Sequence, residues 1–388
     1  MRLVIVSHVA HWRREGRLWA YGPYAAEIDQ WAALFDEVVI VAPEGRGAWP
    51  GDLRPLRAGN VRLAGLEERG GAGVRRKLRL LAALPVWMRV LWREMRQAEV
   101  VQVRCPGNVG LAGAVLAPLA GRPHVAKYAG RWGAYGGEPW SFAFQRWLLG
   151  SWWWRRGVVL AYIPPEEARG PVAPMFNSAM GQADLERARR ACRRREAGAP
   201  WRVLFVGRLT AAKGAEAAIR AAGALRGHGR AVRLDVIGEG PERQRLEELV
   251  LRQGLDGAVR FHGGMGFERL LGMYEQADLL VLPSLSEGWP KVLVEAMAFG
   301  VPCVATRGGL TDWMLGEGRG ETVSPNDPEG LARAVARLMD EPEEERRARQ
   351  RRCREFGLQY SIEGVRAEIV RVLRERLGVA VKEPVEAG

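Results

Sequence analysis

Two carboxylates eight positions apart, Glu287 and Glu295, stand in the stretch Ser286-Glu-Gly-Trp-Pro-Lys-Val-Leu-Val-Glu-Ala-Met297, directly after the apolar run Asp278–Pro283. The pattern places Glu287 in a loop at a helix N-terminus and Glu295 about one turn inside that helix. Both then sit at the carboxyl edge of a strand, where open α/β sheets put their ligands. Such a pair could act as acid and base, or each member could grip a polar ligand through its acceptor-only oxygens. A carboxylate in the first helical turn also stabilises the helix dipole, so the neighbourhood has to decide.

That neighbourhood is cationic and rich in glycine. An earlier strand ends Phe205-Val-Gly207-Arg208-Leu-Thr-Ala-Ala-Lys213-Gly214 before a helix begins, and the next ends Val236-Ile-Gly238-Glu-Gly240-Pro241-Glu-Arg243. Glycine after a strand lets backbone approach a ligand, and a cation above a helix N-terminus adds to free amides and the dipole in favouring an anion. Singly each loop is a βα turn; together, beside the strand that carries Glu287, they describe one phosphate-lined rim. His8 and His11 have a spacing that metal ligands could use, but no third ligand is near, and they read as acceptor-side or structural residues. His124, at the start of a strand, receives no role. No Asp-x-Asp occurs to hold a diphosphate through a divalent cation, and no metal site is expected.

The elements that must position these residues alternate between short β-branched runs and longer amphipathic segments, as in parallel sheets covered by crossover helices. Strands are expected at Leu3–Val6, Glu37–Val41, Val100–Arg104, His124–Tyr128 and Val158–Tyr162 in the first half. In the second half they fall at Arg202–Val206, Arg233–Ile237, Val259–His262, Leu279–Leu282 and Pro302–Ala305. With 388 residues two cores are expected. The organisation predicted is an N-terminal Rossmann-like domain over 1–170, a linker over 171–200 containing a charged helix from Gln182 to Glu196, and a ligand-binding domain over 201–355. A last helix over 356–378 is expected to pack back on the first domain, followed by a frayed tail at 379–388.

The second half resembles the donor domain of glycosyltransferase family 4, a family of retaining, nucleotide-sugar-dependent enzymes. The motifs that carry the resemblance are Gly207-Arg208-Leu-x3-Lys213-Gly214, Gly238-Glu-Gly240-Pro241, Val259-Arg-Phe-His262-Gly263, Ala277-Asp278-Leu-x3-Pro283-Ser284, Glu287-Gly288-x6-Glu295-Ala296-Met297 and Gly308-Gly309. All occur in order within residues 200–340. The resemblance implies the GT-B fold, two doubly wound Rossmann-like α/β domains facing a central cleft. It implies that Arg208 and Lys213 hold the donor diphosphate and stabilise the leaving group, that Glu287 contacts the transferred sugar, and that Glu295 accepts from the ribose hydroxyls. His262 and Gly263 would lie by the base. Gly207, Gly240 and the turn Gly288, Trp289, Lys291 and Val292 complete the donor-binding set, with Gly22 of the first domain closing over the phosphate. No cofactor or metal is implied beyond the donor itself, a UDP- or GDP-sugar. The family often has Gly-Phe-Gly after the first acid, whereas this chain has Gly288-Trp289-Pro290-Lys291; proline donates no N–H, which leaves donor sugar identity open.

Composition bounds the setting. Four cysteines without a Cys-x-x-Cys suit a reducing cytoplasm, and the longest apolar stretch, Leu111–Ala120, falls short of the roughly 20 residues a spanning helix needs. The net charge of +13 lies wholly in residues 1–200, with 30 Lys and Arg against 17 Asp and Glu, and 12 of the 15 tryptophans accompany it. Nucleic acid, anionic lipid or a phosphorylated acceptor could use such a face, and so could no partner at all. The segments Val86–Arg96 and Trp147–Arg156 mix Trp, Arg and aliphatic residues and fit either a lipid interface or core packing. The expected function is sugar transfer to an unidentified acceptor in cell-surface polysaccharide or glycolipid synthesis, in the cytoplasm and, with surface contact, at the inner face of the membrane. The rivals are a nucleotide-sugar epimerase or hydrolase of the same fold and a nucleic-acid-binding protein. No recognisable nucleic-acid motif supports the last.

Overall fold

The computed structural model describes residues 1–45, 53–67, 74–191 and 198–382. They form two compact units, Met1–Met175 together with the chain from Arg366 onward, and Phe176–Val365. The expected helix from Gln182 is present only to Arg190; residues 192–196, with Cys192, and the tail beyond Lys382 lie outside the described residues.

In the first unit the chain runs β1 (Arg2–Val6), β2 (Trp12–Arg14), β3 (Arg17–Tyr21), α1 (Gly22–Ala32), β4 (Glu37–Glu44), β5 (Leu53–Pro55), β6 (Val61–Glu67) and α2 (Val74–Arg96). It continues through β7 (Val100–Cys105), α3 (Asn108–Leu116), β8 (His124–Arg131), α4 (Trp140–Gly150), β9 (Val158–Tyr162) and β10 (Val172–Pro174). Seven strands make one sheet in the order β10-β9-β8-β7-β1-β4-β6, every neighbouring pair parallel. Runs such as Leu3–Val6 and Val38–Ala42 are wholly buried, as expected of parallel strands covered on both faces. Trp87, Leu91 and Met95 of α2, Leu116 of α3, Leu148 of α4 and Trp154 pack into one cluster with Val4, Val101, Ala126 and Val159. Two features escaped the sequence pattern. β6 and β10 extend the sheet at its edges, and β2 and β3, in the loop that follows β1, form a small antiparallel sheet with β5, which lies between β4 and β6. Their residues are largely exposed or half-buried, so no apolar run announces them.

The second unit contains α5 (Gln182–Arg190), β11 (Trp201–Val206), α6 (Ala215–Gly227), β12 (Val232–Ile237), α7 (Arg243–Arg252), β13 (Val259–Gly263) and α8 (Phe267–Gln276). After these come β14 (Leu279–Leu282), α9 (Lys291–Ala298), β15 (Cys303–Thr306), α10 (Thr311–Leu315), β16 (Gly320–Val323), α11 (Pro328–Asp340) and α12 (Glu343–Gly357). Its six strands are parallel, in the order β13-β12-β11-β14-β15-β16. The chain builds outward from β11 to β13, then returns to lay β14 on the other side of β11. That reversal opens a crevice at the carboxyl ends of β11 and β14, the place where doubly wound sheets bind ligands. The last helix, α13 (Ile362–Leu377), begins in the second unit and from Arg366 belongs to the first. There Arg366 donates two hydrogen bonds to Gln30 Oε1 of α1 (2.7 and 3.1 Å), and Ile369, Val372 and Leu373 are buried.

Candidate functional site

The crevice between β11 and β14 is lined by three turns whose backbones touch. Gly207 N–H donates to Ile237 O (3.0 Å), Leu209 N–H to Glu239 O (2.9 Å), Glu242 N–H to Leu209 O (3.0 Å) and Gly238 N–H to Gly263 O (2.9 Å). Packing this close excludes side chains. A Cβ on Gly238 would lie 1.9 Å from Gly207 O, and one on Gly214 would lie 2.2 Å from Pro283 O; both glycines also have positive φ, 137° and 74°. Gly214 therefore fixes how α6 starts, directly behind Lys213. Leu285 N–H donates to Ala212 O (2.9 Å) and ties the β14–α9 loop to the turn that carries the lysine.

The two loops bring opposite charges together. Lys213 Nζ donates to Glu287 Oε1 at 2.6 Å, with both side chains partly exposed. Arg208 projects from the same rim and is exposed. α9 opens at Lys291 behind Pro290, whose carbonyl accepts from Leu293 N–H (3.0 Å). The half-buried residues Lys291 and Val292 thus occupy the first turn, and Glu295 lies one turn further in. Glu295 is 5% exposed and its Oε2 accepts from Tyr274 Oη of α8 at 2.9 Å. Burial raises the Glu295 carboxyl above its usual range, while Tyr274 and the charge on Lys291 pull it down. Burial and the adjacent carboxylate likewise push the Tyr274 hydroxyl far up, so it stays a donor.

Other expected site residues are placed as follows. His262 Nε2 lies 2.7 Å from Asp235 Oδ1 in the sheet, which orients the ring. Gly263 has φ 73°, and a Cβ there would meet Glu239 Oε1 at 2.7 Å. Gly240 packs on Leu209, and Gly288 is half-buried in the loop beside Glu287. Trp289 is 9% exposed and its ring packs edge-on to Tyr360 (5.1 Å between centroids) and near Phe176 (6.2 Å). Gly22 lies in the first unit as the opening residue of α1, ahead of Pro23. His11 is buried against Tyr24 (5.4 Å, edge-on), and burial lowers its pKa to about 4. Among the described residues no three His, Cys, Asp or Glu side chains gather as a metal site requires.

Tyr274 and Asp235 were not found from the sequence, because each meets its partner only across the fold and neither belongs to a spaced motif. The same holds for a buried charge cluster in the first unit. There Glu27 Oε1 accepts from Arg104 Nη1 (2.7 Å) and lies 3.3 Å from Lys127 Nζ. Arg104 stacks on Tyr24 and Lys127 faces the Tyr162 ring at 5.0 and 5.6 Å. Burial acts to raise the Glu27 carboxyl, but the two cations outweigh it and hold the group at about 2.

Residues 192–354 match the family model for glycosyl transferases group 1. That segment, less than half of the chain, lies within the second unit. Among curated relatives, the alpha-D-kanosaminyltransferase of Streptomyces kanamyceticus is 33% identical over 218 residues, 55% of this chain and 56% of that protein. The chain spans about half the length of the curated relatives it matches. Whole-chain likeness comes from solved structures. Sucrose-phosphate synthase from Thermosynechococcus elongatus superposes with a TM-score of 0.66 at 20% identity, covering 97% of this chain and 99% of that one. The Anabaena protein HepE, solved with UDP and glucose, gives 0.64 at 18% identity over 96% and 99%. At such identities the likeness speaks for the fold alone, and with the two parallel-sheet units that fold is GT-B.

Proposed function

We propose that this chain transfers a sugar from a nucleoside-diphosphate sugar to an acceptor hydroxyl, with retention of anomeric configuration and without a metal ion. The observation that carries the reading is the 2.6 Å contact of Lys213 with Glu287 across the β11–β14 switch point. One residue can neutralise a diphosphate, and the other can accept from sugar hydroxyls beside it. As the bond from the anomeric carbon to the diphosphate oxygen breaks, negative charge grows on the leaving group, and Lys213 and exposed Arg208 meet it. The departing phosphate takes the acceptor's proton on the same face, so no enzymic base is required. Glu295, held by Tyr274, accepts from the ribose. The backbone of His262 and Gly263 borders the base, and Gly207, Gly240, Gly288, Lys291 and Val292 line the remainder of the donor site.

UDP- or GDP-sugars are the donors we assign. The acceptor is a glycan, a lipid-linked sugar or a small molecule, within cell-surface polysaccharide or glycolipid synthesis at the cytoplasmic face of a membrane. The test is release of nucleoside diphosphate from a donor panel with and without a chelator, with the anomeric configuration of the product read by NMR. Release that persists under chelation and a retained configuration support the reading. Inversion, a metal requirement, or no release from any donor would count against it.

A further inference from the structure

The helix α4 is apolar on both sides. Its inner face buries Leu148 and Leu149 in the core, as a helix covering a sheet should. Its outer face, where charged residues are expected, presents Trp140, Phe144 and Trp147 at helical spacing, exposed by 80, 40 and 65%. Phe144 and Trp147 stack at 5.6 Å. The turn that follows continues the surface. Trp154 is buried and donates through Nε1 to Ala114 O (2.9 Å), and Trp153 donates to Val115 O (3.3 Å). These two bonds pin the turn to α3 and leave Trp152 pointing outward at 68% exposure, with the Arg155 guanidinium 5.3 Å over its ring. The outward aromatics are therefore held in place and are not a frayed end.

Large aromatics fixed in water on a folded unit mark a surface that something covers. The surrounding charge says what. Residues 83–157 contain ten Lys and Arg against three Asp and Glu. Setting aside Arg104 and Lys127, which are paired with Glu27, and the pairs Arg93–Glu94 and Arg146–Glu138, six of these cations face a single acid, Glu99. Arg155 and Arg156 at the edge of the patch are exposed. Tryptophan beside uncompensated arginine is the chemistry of the interface between acyl chains and anionic headgroups. A second copy is a poorer occupant, since a two-fold contact would set arginine against arginine.

We propose that the outer face of α4 and the Trp152–Arg156 turn dock on an anionic lipid bilayer, the indoles entering the interface and the arginines meeting the headgroups. This surface is independent of the donor site, and either can fail without the other. The experiment is cosedimentation of the full chain with vesicles of phosphatidylcholine alone or with one third phosphatidylglycerol. The wild type should bind the anionic vesicles and release in high salt. The exposed-site variant W140S/W147S/W152S should partition at least about tenfold less. R155Q/R156Q should lose about fivefold per charge on anionic vesicles. Both variants should retain the wild-type circular dichroism and its nucleoside diphosphate release from a soluble donor, and R155Q/R156Q decides the matter if the triple variant does not fold. The proposal is overturned if the wild type binds neither vesicle, or if the tryptophan and arginine variants sediment as it does. It is equally overturned if the patch drives only self-association on gel filtration.

Discussion

Both units build a parallel sheet with a switch point, between β1 and β7 in the first and between β11 and β14 in the second, yet they treat charge at that edge in opposite ways. In the second, Arg208 is exposed and Lys213 reaches Glu287 from one flexible-stemmed side chain to another, half in water. In the first, Arg104 and Lys127 close on Glu27 inside the fold, Lys127 at 1% exposure. An exposed pair contributes little to stability and exchanges partners easily. A buried one is tied to the fold, because removing one partner strands the others. The same topology thus carries a partly exposed ion pair in one unit and a buried charge clamp in the other.

The largest expected effect breaks the clamp. Glu27→Ala leaves Arg104 and Lys127 buried without their carboxylate and should cost about 3–5 kcal/mol of stability, read as a fall in the denaturant midpoint, with activity lost in step. Lys213→Ala should do the reverse. Donor turnover should fall about 100-fold or more, while the melting transition moves by no more than about 1 kcal/mol. Tyr274→Phe deletes one hydrogen bond to Glu295, worth about 1 kcal/mol, and should raise the donor KM about fivefold with kcat nearly unchanged.

The smallest effect is a contrast in sign with pH. Glu27 is held at about 2 against an ordinary 4.5, so its contribution is present above about pH 4.5 and is lost as pH falls through that window. Glu295 is raised, so its ionised form penalises the fold at neutral pH and the penalty fades on acidification. Glu27→Gln should flatten the acid limb of the stability curve. Glu295→Gln should stabilise the protein at neutral pH while weakening donor use.

How much of this was legible in the sequence follows burial and locality. β9 and β14 fall where their unbroken apolar runs place them, at Val158–Tyr162 and Leu279–Leu282. The edge strand β6 and the antiparallel β2, β3 and β5 carry mixed, partly exposed residues, and β10 is buried but only three residues long, so none gave such a run. The rim of Gly207–Lys213 and Glu287 was legible because each part is a local turn with its own chemistry. Tyr274, Asp235 and the Glu27 cluster were not, since their meaning lies in contacts between distant segments. The tryptophans divide likewise. Helical spacing did not separate Trp87 and Trp154, which are core, from Trp92, Trp147 and Trp152, which face water. Trp289, where the chain departs from the family's usual Gly-Phe-Gly after the first acid, packs against Tyr360.

The central claim is that the β11–β14 rim holds a nucleoside diphosphate through Arg208 and Lys213. Titration calorimetry with UDP, GDP, ADP and dTDP on the full chain, with the Lys213→Ala protein alongside, tests it most directly. At least one diphosphate should bind with one-to-one stoichiometry and lose at least about tenfold in affinity in the variant, a difference of about 1.4 kcal/mol. Binding of none of the four, or equal affinity in both proteins, would contradict the account.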